Sequence, residues 1–152
     1  MPDEALRGAI IDYIEAHDRC VLATVKGDVP RGSSVLYASE GLNLYVHTIR
    51  GMAKVYNVEA NPNVAVVIDD QAREGWGRMK SLQYIGKAEI MSDPAEQERI
   101  IALYTGRFPM VKGMLTMEGL KKDQVLLKIT PERLYFSDYA KGMGHRDKLT
   151  EF

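Results

Sequence analysis

The most informative stretch of the chain is residues 45–54, YVHTIRGMAK, in which a strand leads through a glycine into a helix. Residues 42–48 alternate between two sets of side chains, with the more polar set on one face, which is the period of a β-strand. Gly51 ends this alternation, and residues 51–60 have the pattern of a short helix that stops before Pro62. The stretch therefore predicts a strand, a tight turn and a helix in direct succession.

The same stretch gathers groups that suit an anion. A helix that begins directly after a strand leaves free backbone N–H groups near the Thr48 hydroxyl and the cations Arg50 and Lys54. Such an arrangement favours a phosphate. Residues 30–35, PRGSSV, add Arg31 and further polar groups on a neighbouring strand. A solvated hairpin end with ordinary surface cations has an equal claim on this pattern.

Composition limits the class of protein. The chain has 152 residues, of which 45% are hydrophobic and 27% charged, as in one soluble globular domain. Lys and Arg total 20 against 21 for Asp and Glu, and this balance argues against a nucleic-acid partner. The lone Cys20, the absence of a signal-peptide pattern and the absence of a long apolar run predict a cytoplasmic protein that does not enter a membrane.

The remaining pattern predicts short strands with flanking helices. Residues 64–68 form an apolar run typical of a central strand buried on both faces, and residues 71–77 form a polar loop that carries Trp76. Asp93 is the expected N-cap of a helix that runs to about residue 104. The other expected elements are a helix at 3–17, strands at 20–25, 33–38, 42–48 and 79–91, and a closing pair of strands at 125–129 and 133–137. We predict a mostly β fold, a six- to seven-stranded antiparallel split barrel of Greek-key type with flanking helices.

The common catalytic and metal motifs are absent from the sequence. The histidines His17, His47 and His145 show no paired ligand spacing, and no nucleophile elbow or phosphate loop of the usual pattern occurs. Cys20 opens an apolar strand and is expected to be a buried structural thiol. Met110 and its neighbouring methionines are expected to fill core space, with cover of a ligand as the alternative.

The ordered set of motifs resembles the flavin-binding split-barrel family of pyridoxamine 5′-phosphate oxidase. The resemblance covers roughly residues 6–137. It rests on the strand at 20–25, the small residues after Arg31, the His47-Thr48 pair, the glycine turn that leads to Lys54, and the NPNVA stretch at 61–65. Residues 83–89, QYIGKAE, resemble the next strand of the family.

The resemblance implies an FMN at the interface of a homodimer. The implied phosphate ligands are Arg31, Thr48 and Lys54, with Arg50 as a further cation. The flavin ring would lie against Ser33, Ser34, Val35 and His47 of one subunit, and Ser81, Gln83 and Trp76 would reach it from the other.

Two departures weaken the implied phosphate site. Many relatives have serine at the position of Met52 and a second cation at the position of Ala53, and Arg50 is a candidate to compensate. The tail at 142–146 does not reproduce the substrate-binding residues of the oxidase itself. We therefore do not predict pyridoxamine oxidation.

These features predict an FMN-dependent oxidoreductase that passes hydride or electrons from NAD(P)H to a small acceptor. No catalytic acid or base is assigned. A flavin carrier without its own organic substrate is the alternative, and the same family includes proteins that resemble deazaflavin-dependent reductases and haem binders. His145 is the candidate axial ligand for haem.

Overall fold

The computed structural model describes residues 3–70 and 75–152. This part of the chain contains eight strands: β1 (Arg19–Lys26), β2 (Val29–Leu36), β3 (Ala38–Glu40), β4 (Asn43–Ile49), β5 (Asn63–Asp69), β6 (Lys80–Ile90), β7 (Gln124–Asp138) and β8 (Arg146–Leu149). Its α-helices are α1 (Glu4–Glu15), α2 (Ala53–Ala60), α3 (Pro94–Arg107) and α4 (Met117–Leu120). No helix in the described ranges is long and apolar enough to cross a membrane.

The strands form one curled antiparallel sheet in the order β2-β1-β5-β6-β7-β4-β3, and β8 pairs with β7. Strands β2 and β4 approach each other, but hydrogen bonds join β2 to β1 and β4 to β3 and β7. The mostly β, antiparallel fold with flanking helices is confirmed. The strand–turn–helix prediction is also confirmed, because β4 ends at Ile49 and α2 begins at Ala53.

Side chains fill the inside of the curl. Helix α1 contributes Ile10 and Ile14 to a core that includes Leu22, Leu44 and Leu82, all of them inaccessible to solvent. The hydroxyl of buried Tyr84 donates to the backbone oxygens of Leu42, at 2.6 Å, and Ile129, at 3.1 Å. A packed interior leaves the outer surfaces and the open ends of the sheet as places for a ligand.

Helix α3 covers part of the opposite face of the sheet. Asp93 caps it by accepting a hydrogen bond from the Glu96 amide at 3.0 Å, as predicted, and the helix continues to Arg107. Its apolar side packs on strands β4 and β7 in a second buried cluster that includes Tyr45, Ile100, Tyr104, Phe108 and Leu126.

The predicted closing pair of strands is instead one 15-residue strand, β7. Opposite β6, Ile85 pairs with Arg133 and Gly86 pairs with Pro131, so Glu132 is the extra residue of a β-bulge. Pro131 lacks an N–H and fits at this irregularity, and Gly86 fits because a Cβ there would overlap a backbone oxygen of β7. The bulge absorbs the proline that suggested a chain break.

Strand β5 is central but buried on one face only, which corrects the prediction for residues 64–68. Val64, Val66 and Ile68 point into the core, whereas Val67 points outward and is 41% exposed. The apolar residues of the outward face have no cover within the described chain.

Candidate functional site

Two cations, one on β2 and one on α2, lie within range of each other's charge. Arg31 pairs in register with the buried Thr24, so its side chain leaves β2 on the inner face, and Lys54 lies in the first turn of α2. Partial burial lowers the pKa of Lys54, and the charge of Arg31 lowers it further. Within the described ranges neither cation forms an ion pair. We call Arg31 and Lys54 the cation pair.

Core packing and a buried hydrogen bond hold helix α2 against the sheet. Val55 and Val58 enter the core, and the side-chain amide of buried Asn57 donates to the Thr24 hydroxyl at 3.0 Å. The N-cap residue, Met52, supplies no side-chain acceptor to the first turn. The helix therefore presents Lys54 and its N-terminal N–H groups from a fixed base.

Thr48 and His47 lie on opposite faces of β4. Thr48 is buried and lies with Val46 on the inner face of the sheet, which is also the face of Arg31. The His47 imidazole forms a hydrogen bond with the Gln124 side chain through Nε2, and its ring centroid lies 5.8 Å from that of Tyr104. The predicted flavin contact by His47 thus lies on the α3 side of the strand.

The predicted residues of β2 are also divided between two faces. Ser33 and Val35 pair with the core residues Leu22 and Cys20, so they share the inner face with Arg31. Ser34 pairs with Val21 and points outward. The inner set therefore lines the opening beside the cation pair, while Ser34 belongs to the outer surface.

Arg50 is oriented toward other residues. Its guanidinium lies 4.0 Å from the Glu59 carboxylate, and it borders a separate depression of about 460 Å³ with Met91 and Lys121. The cation whose charge acts on Lys54 is Arg31.

The outward face of the sheet carries a row of neighbouring residues that we call the outer row: Ser34, Val21, Val67 and Gln83. Val21 and Val67 are 42% and 41% exposed, and Ser81 lies beside Gln83 on the same face of β6. The exposure of the two valines could not be predicted from the sequence, because each valine belongs to a strand that has the apolar pattern of a buried element. Trp76 is 67% exposed in a short 3₁₀ turn, and residues 71–74 of its predicted loop lie outside the described residues.

The remaining candidates have structural partners. His145 interacts with the Asp147 carboxylate at 2.9 Å, and His17 interacts with Asp70 at 2.7 Å. Burial raises the pKa of the Cys20 thiol to about 12, as expected for a structural cysteine. No cluster of potential metal ligands occurs among the described residues.

The methionine segment differs from the core-filling prediction. Met110 is 70% exposed and Met114 is 52% exposed, whereas their neighbours Phe108 and Leu115 are buried. The aromatic and leucine side chains fill the second cluster, so the methionines remain at the surface.

Known proteins similar to this chain identify its family. The model of the pyridoxamine 5′-phosphate oxidase family matches residues 6–138. The chain belongs to this family. General stress protein 26 of Bacillus subtilis (strain 168) is 26% identical over 100 residues, which are 66% of this chain and 70% of that protein.

Solved structures of other proteins share this fold. A pyridoxamine 5′-phosphate oxidase-like protein from Listeria innocua is 28% identical with a TM-score of 0.67, over 85% of this chain and 95% of that one. An FAD-binding protein from Mesorhizobium loti is 22% identical with a TM-score of 0.68, over 90% and 95% of the two chains. A heme-binding protein from Mycobacterium smegmatis is 17% identical with a TM-score of 0.77, over 99% of this chain and 59% of that one. The last two likenesses show the fold.

Proposed function

We propose that the protein is an FMN-dependent oxidoreductase that transfers hydride or electrons from NAD(P)H to a small acceptor. The observation that carries this proposal is the cation pair. Two like charges held close together without an acidic partner in the described chain cost free energy, and a bound phosphate offsets that cost. A flavin mononucleotide has one terminal phosphate, which suits a site with two cations and a hydroxyl.

The phosphate site would consist of Arg31, Lys54 and Thr48. Lys54 comes from a helix N-terminus, where the backbone dipole also favours negative charge. Met52 and Ala53 supply neither a hydroxyl nor a charge, and Arg50 is engaged with Glu59. The site therefore depends on two cations, and removing either cation should weaken FMN binding strongly.

The flavin ring would lie between two subunits. Ser33 and Val35 line the opening near the cation pair, while Ser81 and Gln83 lie on the outward face of the sheet. One chain cannot present both sets to one ring, because they are on opposite faces of the sheet. In a homodimer, one subunit can cover the outer row of the other. Ser81 and Gln83 of the covered subunit would then contact the flavin that the covering subunit binds.

Bound flavin would supply the hydride and electron chemistry, while the protein binds it, orients it and excludes water. The chain shares its fold with an FAD-binding and a heme-binding protein, so the identity of the cofactor is tested first. Heme would need an axial ligand at the site, but the described histidines lie against other groups: His17 at Asp70, His47 at Gln124 on the α3 side of β4, and His145 at Asp147. The site chemistry favours flavin.

The test is cofactor uptake by the purified protein. FMN, FAD and heme are added separately in excess, the sample is desalted, and the retained absorption spectrum is recorded together with the solution mass. We expect FMN to be retained at one per chain on a particle of twice the chain mass. Retention of heme alone, or of no cofactor, would refute the proposal.

A matched pair of variants links flavin binding to dimerisation. Val67→Asp places a charge in the outer row, and Val29→Asp places one at a hairpin end where Val29 is 64% exposed. We expect the first variant to become monomeric and to lose FMN together, and the second to remain dimeric and yellow. A monomeric Val67→Asp variant that keeps FMN would show that one chain holds the flavin alone.

A further inference from the structure

A depression away from the cation pair combines two positive charges with an apolar floor. It lies where the ends of β4 and β6 meet the start of α3 and the short helix α4. Its volume of about 460 Å³ is within the range of small-molecule sites. The side chains that matter for binding are the cations Arg50 and Lys121 and the apolar residues Ile90, Met91, Met117 and Leu120. We call this site the Arg50 depression.

Hydrogen bonds fix two walls of the depression. The backbone amide of Arg50 donates to the backbone oxygen of Asp123 at 2.7 Å, which attaches the residue after β4 to the residue before β7. The side-chain amide of Gln97 donates to the backbone oxygen of Met91 at 3.0 Å, which holds the first turn of α3 against the end of β6. The two walls are therefore in place before any ligand binds, and a ligand need not order them.

Helix α4 forms the third wall and is fixed by close packing. The Thr116 side chain accepts a hydrogen bond from the Gly119 amide at 2.9 Å. A Cβ at Gly119 would lie 2.6 Å from the backbone oxygen of Met114, so the helix sits as near to the preceding chain as a glycine allows. Met117 and Leu120 thus project into the depression from a turn that has little room to move.

The charges at the depression suit an anion. Its lining has two cations and no acidic side chain. The only carboxylate that pairs with Arg50 in the described chain is that of Glu59, which is half-exposed and 4.0 Å away, too far for a hydrogen bond. The Arg50 guanidinium therefore keeps its planar set of N–H donors for a ligand.

Lys121 adds a second charge. No ion pair joins Lys121 to a carboxylate among the described residues. The acids next to the lining residues in sequence have other partners: Glu96 pairs with Lys128, Glu118 pairs with Lys122, and Asp93 caps α3. The positive charge of the depression is thus left for a bound anion to neutralise.

The floor of the depression is apolar and backed by the core. Met91 is buried in the second cluster, Leu120 packs against the same cluster, and Ile90 packs against the main core. Methionine side chains adapt to the shape of a ligand, and their sulfur atoms make favourable contacts with aromatic rings. Met91 and Met117 therefore favour an aromatic body over a purely polar one.

We propose that the Arg50 depression binds a small aromatic carboxylate. The guanidinium of Arg50 matches the two oxygens of a carboxylate, Lys121 adds charge, and the ring lies on the methionine side of the floor. A carboxylate without a ring gains only exposed ion pairs, which contribute little, and a neutral aromatic molecule gains no charge pairing. The site is additional to the proposed flavin site and does not require a bound flavin.

The first test compares three matched probes on the full-length protein. Naphthoate, its neutral analogue naphthamide, and acetate, which lacks the ring, are each titrated while amide chemical shifts are followed by NMR. We expect naphthoate to shift the amides of residues 90–97 and 117–121 and to bind at least about fivefold more tightly than either other probe. Equal binding of naphthoate and naphthamide, or naphthoate shifts confined to the outer row, would overturn the inference.

The second test removes each cation in turn. Arg50→Gln and Lys121→Gln replace exposed side chains, and each should weaken naphthoate binding about fivefold while naphthamide binding stays unchanged. The control Lys112→Gln, an exposed lysine outside the depression, should bind naphthoate like the wild type. Equal naphthoate binding by all variants would overturn the inference.

The third test separates this site from the proposed flavin site. The naphthoate titration is repeated after addition of excess FMN, and we expect the same dissociation constant with and without FMN. Competition between naphthoate and FMN would place naphthoate in the flavin site and overturn the inference. A protein that takes up no FMN but binds naphthoate at the Arg50 depression would contradict only the proposed function.

Discussion

Replacing Lys54 by methionine should change stability and cofactor binding in opposite directions. Lys54 is held partly buried beside Arg31, and this environment lowers its pKa from the ordinary 10.5. Methionine has an unbranched apolar side chain of similar length, so it can keep the stem contacts while it removes the charge. The flavin-free protein should become more stable, and FMN should bind more weakly.

The expected changes in stability and in FMN affinity can be estimated from the types of interaction that Lys54 makes. The relieved repulsion involves partly exposed groups, for which charge-pair energies are about 0.2–1 kcal/mol, and we expect a gain in that range. A hydrogen bond to a charged group contributes about 1.5–3 kcal/mol. Loss of one such bond to the phosphate corresponds to a rise of about 10- to 150-fold in the FMN dissociation constant.

The stability gain should depend on pH in a defined direction. Well below the lowered pKa, Lys54 is charged in both the folded and the unfolded chain, so the full free-energy cost of the charge is present there. As the pH rises from the lowered pKa toward 10.5, the folded chain releases this proton first, and wild-type stability rises relative to the variant. The difference in unfolding free energy should therefore be smaller near pH 10.5 than at neutral pH and should continue to shrink above pH 10.5.

The assay combines urea unfolding of the flavin-free proteins, at neutral pH and near pH 10.5, with FMN titration followed by flavin fluorescence. Lys112→Met serves as the control because Lys112 is exposed and lies in the segment after α3. An FMN dissociation constant within twofold of wild type in Lys54→Met would refute the phosphate assignment. A destabilised flavin-free variant would refute the account of Lys54 as a strained charge.

Three further predictions concern the scaffold. Asn57→Ala should lower the free energy of unfolding by about 1–3 kcal/mol in a urea titration, because it leaves the buried Thr24 hydroxyl without its donor; wild-type stability would contradict the packing of α2. Gly86→Ala should prevent folding or cost more than about 3 kcal/mol, since its Cβ would strike a backbone oxygen of β7. Gly106→Ala, in open space on α3, should instead add about 0.5–1 kcal/mol in the same measurement. The Cys20 thiol should resist a disulfide reagent at pH 8 until urea unfolds the chain, and rapid labelling of the native protein would show that the thiol is accessible.

Much of the fold could be predicted from local pattern. The N-cap of α3, the alternation of β4 and the glycine turn before α2 are determined within a few residues, so they appear in the sequence and in the structure alike. The single long strand β7 could not be predicted in this way. Pro131 indicates a break locally, and only the pairing with Gly86 on a distant strand shows that a bulge accommodates it.

The candidate site was likewise predictable only in part from the sequence. Sequence pattern indicated Thr48, Arg50 and Lys54 as groups suited to an anion, and the family resemblance added Arg31. The cofactor-binding role of these residues stays a prediction. Their grouping depends on how β2 curls over toward α2, which no local pattern encodes. For His47, the strand alternation in the sequence already places the side chain on the face opposite Val46 and Thr48, and the tertiary structure adds that α3 covers this face.

The family, the mostly β class and the types of residue available to bind an anion could all be read from the chain, because residue order and side-chain chemistry are local properties. Which of those residues meet depends on the tertiary structure. It brought together two cations from separate elements, left one face of β5 open, and placed Arg50 and Lys121 at one depression. The physical reason is that charge repulsion, burial and strand register act between positions far apart in the chain, and they acquire values only when the sheet closes.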